Sequence, residues 1–136
     1  MDYFELALDL MEKMHALHKT RPKKYIFEVI KGEAFVLKYI ALREEAVLPG
    51  EISHEMEVSS ARIAAALNKL ESKGLITRRI DKNDRRKILV AITREGKELA
   101  EKYQTAMIED IAEMLGFLGE HDAREYVRII GRLAER

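Results

Sequence analysis

Two short apolar runs separated by a basic turn constrain the fold of this 136-residue chain more than any other feature. The runs, residues 74–80 and 88–93, are rich in β-branched side chains and are bounded by turn-forming residues, which is typical of a β-hairpin. The turn ends in three consecutive cations, Arg85, Arg86 and Lys87. A helical pattern ends at Lys73–Gly74, directly before the hairpin. This order predicts a helix followed by a basic wing.

The charge of the chain is strongly segregated. The net charge is zero, with 24 basic and 24 acidic residues, but residues 59–94 hold ten of the bases and three of the acids. This window therefore carries +7, and the rest of the chain carries −7. A basic block within an acidic chain is typical of a surface that binds a polyanion such as DNA. The alternative, a solvated charged surface, is the better interpretation of any single cation but not of this imbalance.

Composition favours a soluble cytoplasmic protein. Hydrophobic residues make up 47% of the chain, which is enough for a core, and no apolar run approaches the roughly 20 residues needed to span a bilayer. The N-terminus lacks a basic signal region, and cysteine is absent, which excludes disulfides and thiol chemistry. Charged residues reach 35%, with one glutamine and two asparagines, a thermophile-like bias.

Periodicity and capping residues predict a mainly α fold with a small β-hairpin wing, a winged helix-turn-helix flanked by terminal dimerisation helices. Ser59 or Ser60 can cap the helix before the wing, Gly74 can end it, and Thr93 and Asp122 can cap the last two helices. The predicted helices are residues 3–18, 33–45, 51–56, 60–73, 94–118 and 122–136, and the predicted domains are residues 1–31, 32–96 and 97–136.

The apolar stripes of the terminal helices exceed what a small winged helix can cover. We therefore expect a second copy of the chain to pack against them across a two-fold axis. An intramolecular bundle is the alternative.

In the helix before the wing, the 3.6-residue period turns Ile63, Ala66, Leu67 and Leu70 inward. The outward side chains are small or polar, which suits a helix lying in a major groove. Arginine can read guanine, asparagine can read adenine, and an alanine methyl can contact thymine, whereas a lysine near the helix end and serines at its start suit phosphate. The predicted contacts are Ser59, Ser60, Arg62, Ala65, Asn68 and Lys69.

In the wing, Arg86 is the leading candidate for insertion into a minor groove, because narrow A·T tracts attract a guanidinium. Asp84 lies two residues earlier, on the same side of the hairpin, and is expected to hydrogen-bond Arg86 and fix its direction. Lys82, Arg85 and Lys87 are expected to meet phosphates. The alternative is a turn-forming aspartate beside solvated arginines.

Four segments in this order resemble the MarR family of transcriptional regulators: residues 50–63 (GEISHEMEVSSARI), 70–78 (LESKGLITR), 84–86 (DRR) and 92–96 (ITREG). The resemblance covers about residues 32–96. It implies an obligate homodimer whose recognition helices occupy successive major grooves of a palindromic site. It also implies that Arg86 enters the minor groove with the support of Asp84, and that an effector binds between the dimerisation helices and the winged helix.

The chain departs from many members of the family at Ala65 and Ala66, where they carry a long or polar side chain. Because Ala65 faces outward, base reading depends on fewer side chains, chiefly Arg62, Asn68 and the wing. The absence of cysteine excludes the peroxide-sensing mechanism of some members.

The sequence constrains the effector least. His15 and His18 share one helix face, but two histidines without further ligands do not define a metal site, so none is predicted. A small aromatic or phenolic anion is the effector that the resemblance implies, and no cofactor is expected. The candidate pocket residues are His18, Tyr25, Tyr39 and Arg43.

These observations predict a ligand-responsive repressor that binds a palindromic operator in double-stranded DNA as a homodimer and has no enzymatic activity. The first alternative is a winged helix that binds another protein, which would need an apolar outward face on residues 60–73. The second is a hydrolase or metalloenzyme, but no nucleophile–base pair, phosphate-binding loop or metal-ligand quartet is visible.

Overall fold

The computed structural model describes residues 1–20 and 32–136, which form six helices and one antiparallel hairpin. Thus the predicted mainly α fold with a hairpin wing is confirmed. In chain order the elements are α1 (Tyr3–Thr20), α2 (Glu33–Ala41), α3 (Pro49–Met56), α4 (Ser60–Ser72), β1 (Ile76–Ile80), β2 (Ile88–Ile92), α5 (Arg94–Leu118) and α6 (Glu120–Ala134).

The hydrophobic core lies beneath α4 and the hairpin, where α2, α3 and the start of α5 meet them. Burying one such aliphatic side chain contributes about 1.5–3 kcal/mol, so this cluster is the main source of stability for the winged helix. Its members are Val36, Leu37, Ile40, Val47, Ile52, Ile63, Leu67, Leu70, Leu75, Ile76, Val90 and Ala100. The core thus falls mostly within the predicted domain 32–96, although the three domain limits stay a prediction.

Three predicted capping residues fix the ends of the helices around the wing. The Ser59 hydroxyl accepts a hydrogen bond from the backbone N–H of Arg62 at 3.3 Å and caps α4. Gly74 has φ +74°, the left-handed conformation that ends this helix. The Thr93 hydroxyl accepts from the N–H of Gly96 at 3.0 Å and caps α5. These contacts confirm the predicted starts of α4 and α5, and α4 ends at Ser72, one residue before the predicted end.

Several predicted boundaries are wrong by two residues or more: α1 ends at Thr20 rather than residue 18, α3 begins at Pro49 rather than residue 51, and α6 ends at Ala134 rather than residue 136. Two further differences have a visible cause. Helix α2 ends at Ala41 rather than residue 45, because Val47 must be extended: it exchanges backbone hydrogen bonds of 2.9 and 2.8 Å with Val90 of β2. This bridge adds a third, very short strand to the hairpin. Asp122 does not cap α6, because the helix begins at Glu120 after Gly119 (φ +84°). The Asp122 carboxylate instead lies in the first turn, where its negative charge interacts favourably with the positive end of the helix dipole.

The terminal helices present large apolar side chains to solvent. On α1 these include Phe4, Leu8, Met11 and Leu17, and on α6 they include Tyr126, Val127, Ile130 and Leu133. Neither these helices nor any other in the described parts of the chain has the length and hydropathy needed to cross a membrane.

Candidate nucleic-acid interface

One face of α4 is buried in the core and the opposite face is open to solvent. Ile63, Leu67 and Leu70 are buried, as their spacing predicts. The open face is built from small and polar side chains, and every predicted contact residue on this helix is exposed: Ser59, Ser60, Arg62, Ala65, Asn68 and Lys69. The surface can therefore approach another molecule closely and offers hydrogen-bond donors and acceptors.

Arg78 on β1 was not among the predicted site residues, yet it contacts α4. Its Nη2 donates to Asn68 Oδ1 at 2.7 Å and to Glu71 Oε1 at 2.8 Å. The hydrogen bond from Arg78 lowers the pKa of Glu71, and the same bond raises the pKa of Arg78. This contact ties the wing to the helix and fixes a polar side chain that was expected to read a base.

Glu33, the first residue of α2, lies beside the end of α4. Its carboxylate accepts from Lys73 Nζ at 2.7 Å and lies 3.9 Å from Lys69 Nζ. The hydrogen bond to Glu33 raises the pKa of Lys73. Lys69, the predicted phosphate contact, is therefore exposed but sits next to an acid from a distant part of the sequence.

The wing tip is a seven-residue loop, residues 81–87, organised by two aspartates. Asp81 Oδ1 accepts from the N–H of Asn83 at 2.9 Å, and Asp84 Oδ1 accepts from the N–H of Arg86 at 3.0 Å. Backbone hydrogen bonds from Asp81 N to Lys87 O and from Lys87 N to Asp84 O, both 3.0 Å, close the loop. Such Asx turns hold the tip in one conformation.

The predicted bond between Asp84 and Arg86 is present. Arg86 Nε donates to Asp84 Oδ1 at 3.2 Å, and Nη2 donates to Oδ2 at 3.4 Å, so both carboxylate oxygens engage one guanidinium. The bond lowers the pKa of the Asp84 carboxyl. The Arg86 side chain is still 90% exposed. Lys82, Arg85 and Lys87 are also exposed on this tip, so the wing presents positive charge to solvent, and Asp84 orients the part that Arg86 carries.

Residues 33–111, well over half of the chain, match the family described as the winged helix DNA-binding domain. The fold resembles the crystal structure of the YusO protein from Bacillus subtilis, with a TM-score of 0.75 and 25% identity over 99% of both chains. The uncharacterised HTH-type transcriptional regulator YwhA of the same bacterium is 28% identical over 99% of this chain and 100% of its own. The chain belongs to the MarR family.

A further relative of this MarR-family chain is named for its regulatory effect. The HTH-type transcriptional repressor YetL of B. subtilis is 27% identical over 94 residues, which are 69% of this chain and 56% of YetL. The chain thus spans little more than half the length of this relative. YetL and YwhA are both named as transcriptional regulators.

Among the described residues, two clefts lie beside α2 of the MarR-family winged helix. The smaller, about 280 Å³, is lined by Phe35, Lys38, Tyr39, Leu42, Arg43 and Glu55, and the Arg43 guanidinium lies 4.4 Å from the centre of the Tyr39 ring. The larger, about 620 Å³, is lined by Gly32, Phe35, Val36, Glu55, Met56, Val58, Arg62, Ile63 and Ala66.

The structure brings Tyr39 and Arg43 together, as a shared pocket requires. The other two predicted pocket residues are not placed: His18 lies on α1 but its side chain is outside the description, and Tyr25 lies outside the described residues. Within residues 1–20 and 32–136, no three histidine, aspartate or glutamate side chains form a group that could hold a metal ion.

Proposed function

We propose that this protein is a sequence-specific repressor that binds a palindromic DNA operator as a homodimer and is released by a small effector. One observation carries the proposal: the exposed polar face of α4 and the exposed cations of the wing, among them Arg86 held by Asp84, lie on one winged-helix core. In this fold the helix that corresponds to α4 lies in the major groove of DNA. Contacts to base edges in the groove read the sequence, and contacts to phosphates fix the position of the protein.

The residues divide between these tasks by chemistry. Arg62 and Asn68 carry groups that can bond base edges, and the Ala65 methyl suits a thymine methyl. Ser59 and Ser60 lie at a helix N-terminus, which is a favourable site for a phosphate group. The remaining cations also suit phosphate contacts: Lys69, Lys82, Arg85 and Lys87. Arg86, braced by Asp84, suits a narrow minor groove. A protein-binding winged helix would instead need an apolar face, and the open face of α4 is polar.

The homodimer is supported by the terminal helices. Four apolar side chains of α6, Tyr126, Val127, Ile130 and Leu133, are 46–58% exposed and follow a helical period. The large apolar side chains of α1 are exposed as well, and single domains rarely leave so many of them in water. Dimeric helix-turn-helix proteins place their two recognition helices about one turn of DNA apart, so the operator is expected to be palindromic.

The effector site is proposed at the smaller cleft. Tyr39 offers an aromatic face and a hydroxyl, and Lys38 and Arg43 offer positive charge. These groups suit a small aromatic or phenolic anion. The cleft lies on α2. The first residue of this helix, Glu33, contacts Lys73 at the end of α4, so a molecule bound in the cleft could shift α4.

The proposal is tested by binding to DNA from the region flanking the gene that encodes this protein, scanned for an inverted repeat. We expect two chains per full palindrome and weak binding to an isolated half-site. With about 6–10 phosphate contacts, affinity should fall by about 10³–10⁵ between 50 and 200 mM salt. Absent binding, salt-insensitive binding or one chain per palindrome would contradict the proposal.

Removing the acid beside the end of α4 should strengthen DNA binding. In Glu33→Gln, Lys69 and Lys73 lose their ion-pair partner and become available to phosphates, so we expect higher affinity and a steeper salt dependence. The exposed ion pair contributes up to about 1 kcal/mol, so the loss of stability should be small. Fluorescence anisotropy on an operator fragment, together with urea unfolding, measures both effects.

The matched control for this change is Glu101→Gln on α5. It makes the same change in net charge at an exposed position of the long helix after the wing. If both variants strengthen binding equally, the effect comes from total charge, and the contact between Glu33 and the lysines has no specific role.

A further inference from the structure

Arg78 occupies a strand position that turns its side chain toward the recognition helix. Strand residues alternate between faces, so Arg78 shares a face with Ile76, which is 1% exposed, and pairs across the hairpin with Val90, which is fully buried. Its neighbours Thr77 and Arg79 lie on the opposite face and are exposed. Arg78 itself is 26% exposed, at the edge between the core and the open face of α4.

The contact from Arg78 determines which way the Asn68 amide faces. A guanidinium has only donors, so the atom that it contacts at 2.7 Å must be the amide oxygen and not the nitrogen. The second hydrogen on Arg78 Nη2 is directed to Glu71 at 2.8 Å, one turn further along the same helix. Asn68 thus has its oxygen held toward β1 and its two N–H donors turned away from Arg78.

We propose that Arg78 is a specificity-determining positioning residue that makes Asn68 a hydrogen-bond donor in the major groove; this inference rests on the proposed DNA-binding function. Adenine is read by an asparagine that both donates to N7 and accepts from N6. The second bond needs the Asn68 oxygen, which already accepts from Arg78 and is held toward β1, so only its second lone pair remains for N6. Guanine offers two acceptors, N7 and O6, to the free N–H groups. Asn68 therefore selects guanine over adenine, contrary to what the residue type alone predicts.

Arg78 also changes the electrostatics of the interface. Glu71 lies on the same exposed side of α4 as Asn68, and an unpaired carboxylate there would repel the phosphates of DNA. The ion pair with Arg78 neutralises it. Substitution of Arg78 therefore has two expected effects: a loss of affinity for every DNA sequence, and a change in the base preferred at one position. Only the change in base preference reports on the positioning of Asn68.

The experiment measures binding of the full-length protein to operators in which each base pair of the half-sites is varied. Asn68→Ala first identifies the base pair that this residue reads, as the position where discrimination is lost. At this position we expect the wild type to prefer guanine over adenine by about five-fold or more. In Arg78→Met and Arg78→Ala the released oxygen can accept from adenine, so the preference should disappear or reverse.

Two matched variants separate positioning from charge. Arg79→Met removes the same charge from the other face of β1, and Glu71→Gln removes the acid but leaves the bond between Arg78 and Asn68. Both should change overall affinity and keep the guanine preference. Circular dichroism melting shows which of the two Arg78 variants are folded, and the base preference is compared in those.

The outcomes distinguish this inference from the proposed function. A wild-type preference for adenine, an unchanged preference in the folded Arg78 variants, or no base pair affected by Asn68→Ala would overturn the inference alone. Failure of the wild-type protein to bind any operator in a salt-dependent way would overturn the proposed function, and the inference with it.

Discussion

Replacing Gly96 with alanine is expected to remove much of the stability of the winged helix. A Cβ atom at residue 96 would lie 2.0 Å from the Leu75 carbonyl oxygen and 2.9 Å from the Ile92 side chain. The carbonyl cannot move freely, because it accepts a hydrogen bond of 3.0 Å from the N–H of Thr93. The Thr93 hydroxyl also donates to the Gly74 carbonyl at 2.7 Å. The start of α5 is thus held against the start of β1, with no room for a methyl group.

The cost should exceed the roughly 1–3 kcal/mol of ordinary overpacking, because the obstacle is backbone and not a flexible side chain. Since domains of this size are stable by only about 5–15 kcal/mol, we expect a large drop in the urea midpoint. Gly50→Ala is the matched control: Gly50 is also helical, and a Cβ there would meet nothing within 4 Å. It should be neutral or stabilising by up to about 1 kcal/mol. Equal unfolding midpoints for the two variants would contradict this account.

The local features of the fold were predictable because they depend on neighbours in the sequence. Ser59 and Thr93 cap helices through backbone groups three residues away, and Gly74 ends α4 through its own φ angle. The 3.6-residue period placed Ile63, Leu67 and Leu70 in the core. The segment around Thr93 and Gly96 was recognised as a family motif, but its physical reason, the approach of α5 to Leu75, became visible only in three dimensions.

The contacts that the sequence did not predict join distant residues. Val47 pairs with Val90, and Glu33 reaches Lys73 across 40 positions. Alternation along β1 does indicate that Arg78 faces the same way as Ile76. The partner it meets there depends on the angle between the hairpin and α4, which no local pattern determines. The predicted DNA-contact residues are exposed at the positions that the helix period and the hairpin pairing indicate. Their roles in binding DNA stay predictions.

Arg86→Ala should weaken operator binding by about 5- to 150-fold, equivalent to 1–3 kcal/mol, if the guanidinium contacts a base. The reason is orientation as well as charge. Two oxygens of Asp84 hold Nε and Nη2, so the guanidinium loses little freedom on entering a groove. The free protein should be almost unaffected, within about 0.5 kcal/mol, because the side chain is 90% exposed. Anisotropy titrations and urea unfolding give the two values.

The neighbouring residue provides the control, since Arg85 is an exposed cation on the same tip. Arg85→Ala should weaken binding to all sequences alike and lower the salt slope by about one, as expected for a phosphate contact. Arg86→Lys keeps the charge but loses the planar group that Asp84 holds, so it should behave like Arg86→Ala on an operator with A·T pairs beneath the wing. If Arg86→Lys binds like the wild type, or if both alanine variants lose affinity equally on every sequence, Arg86 contacts phosphate and the wing reads no bases.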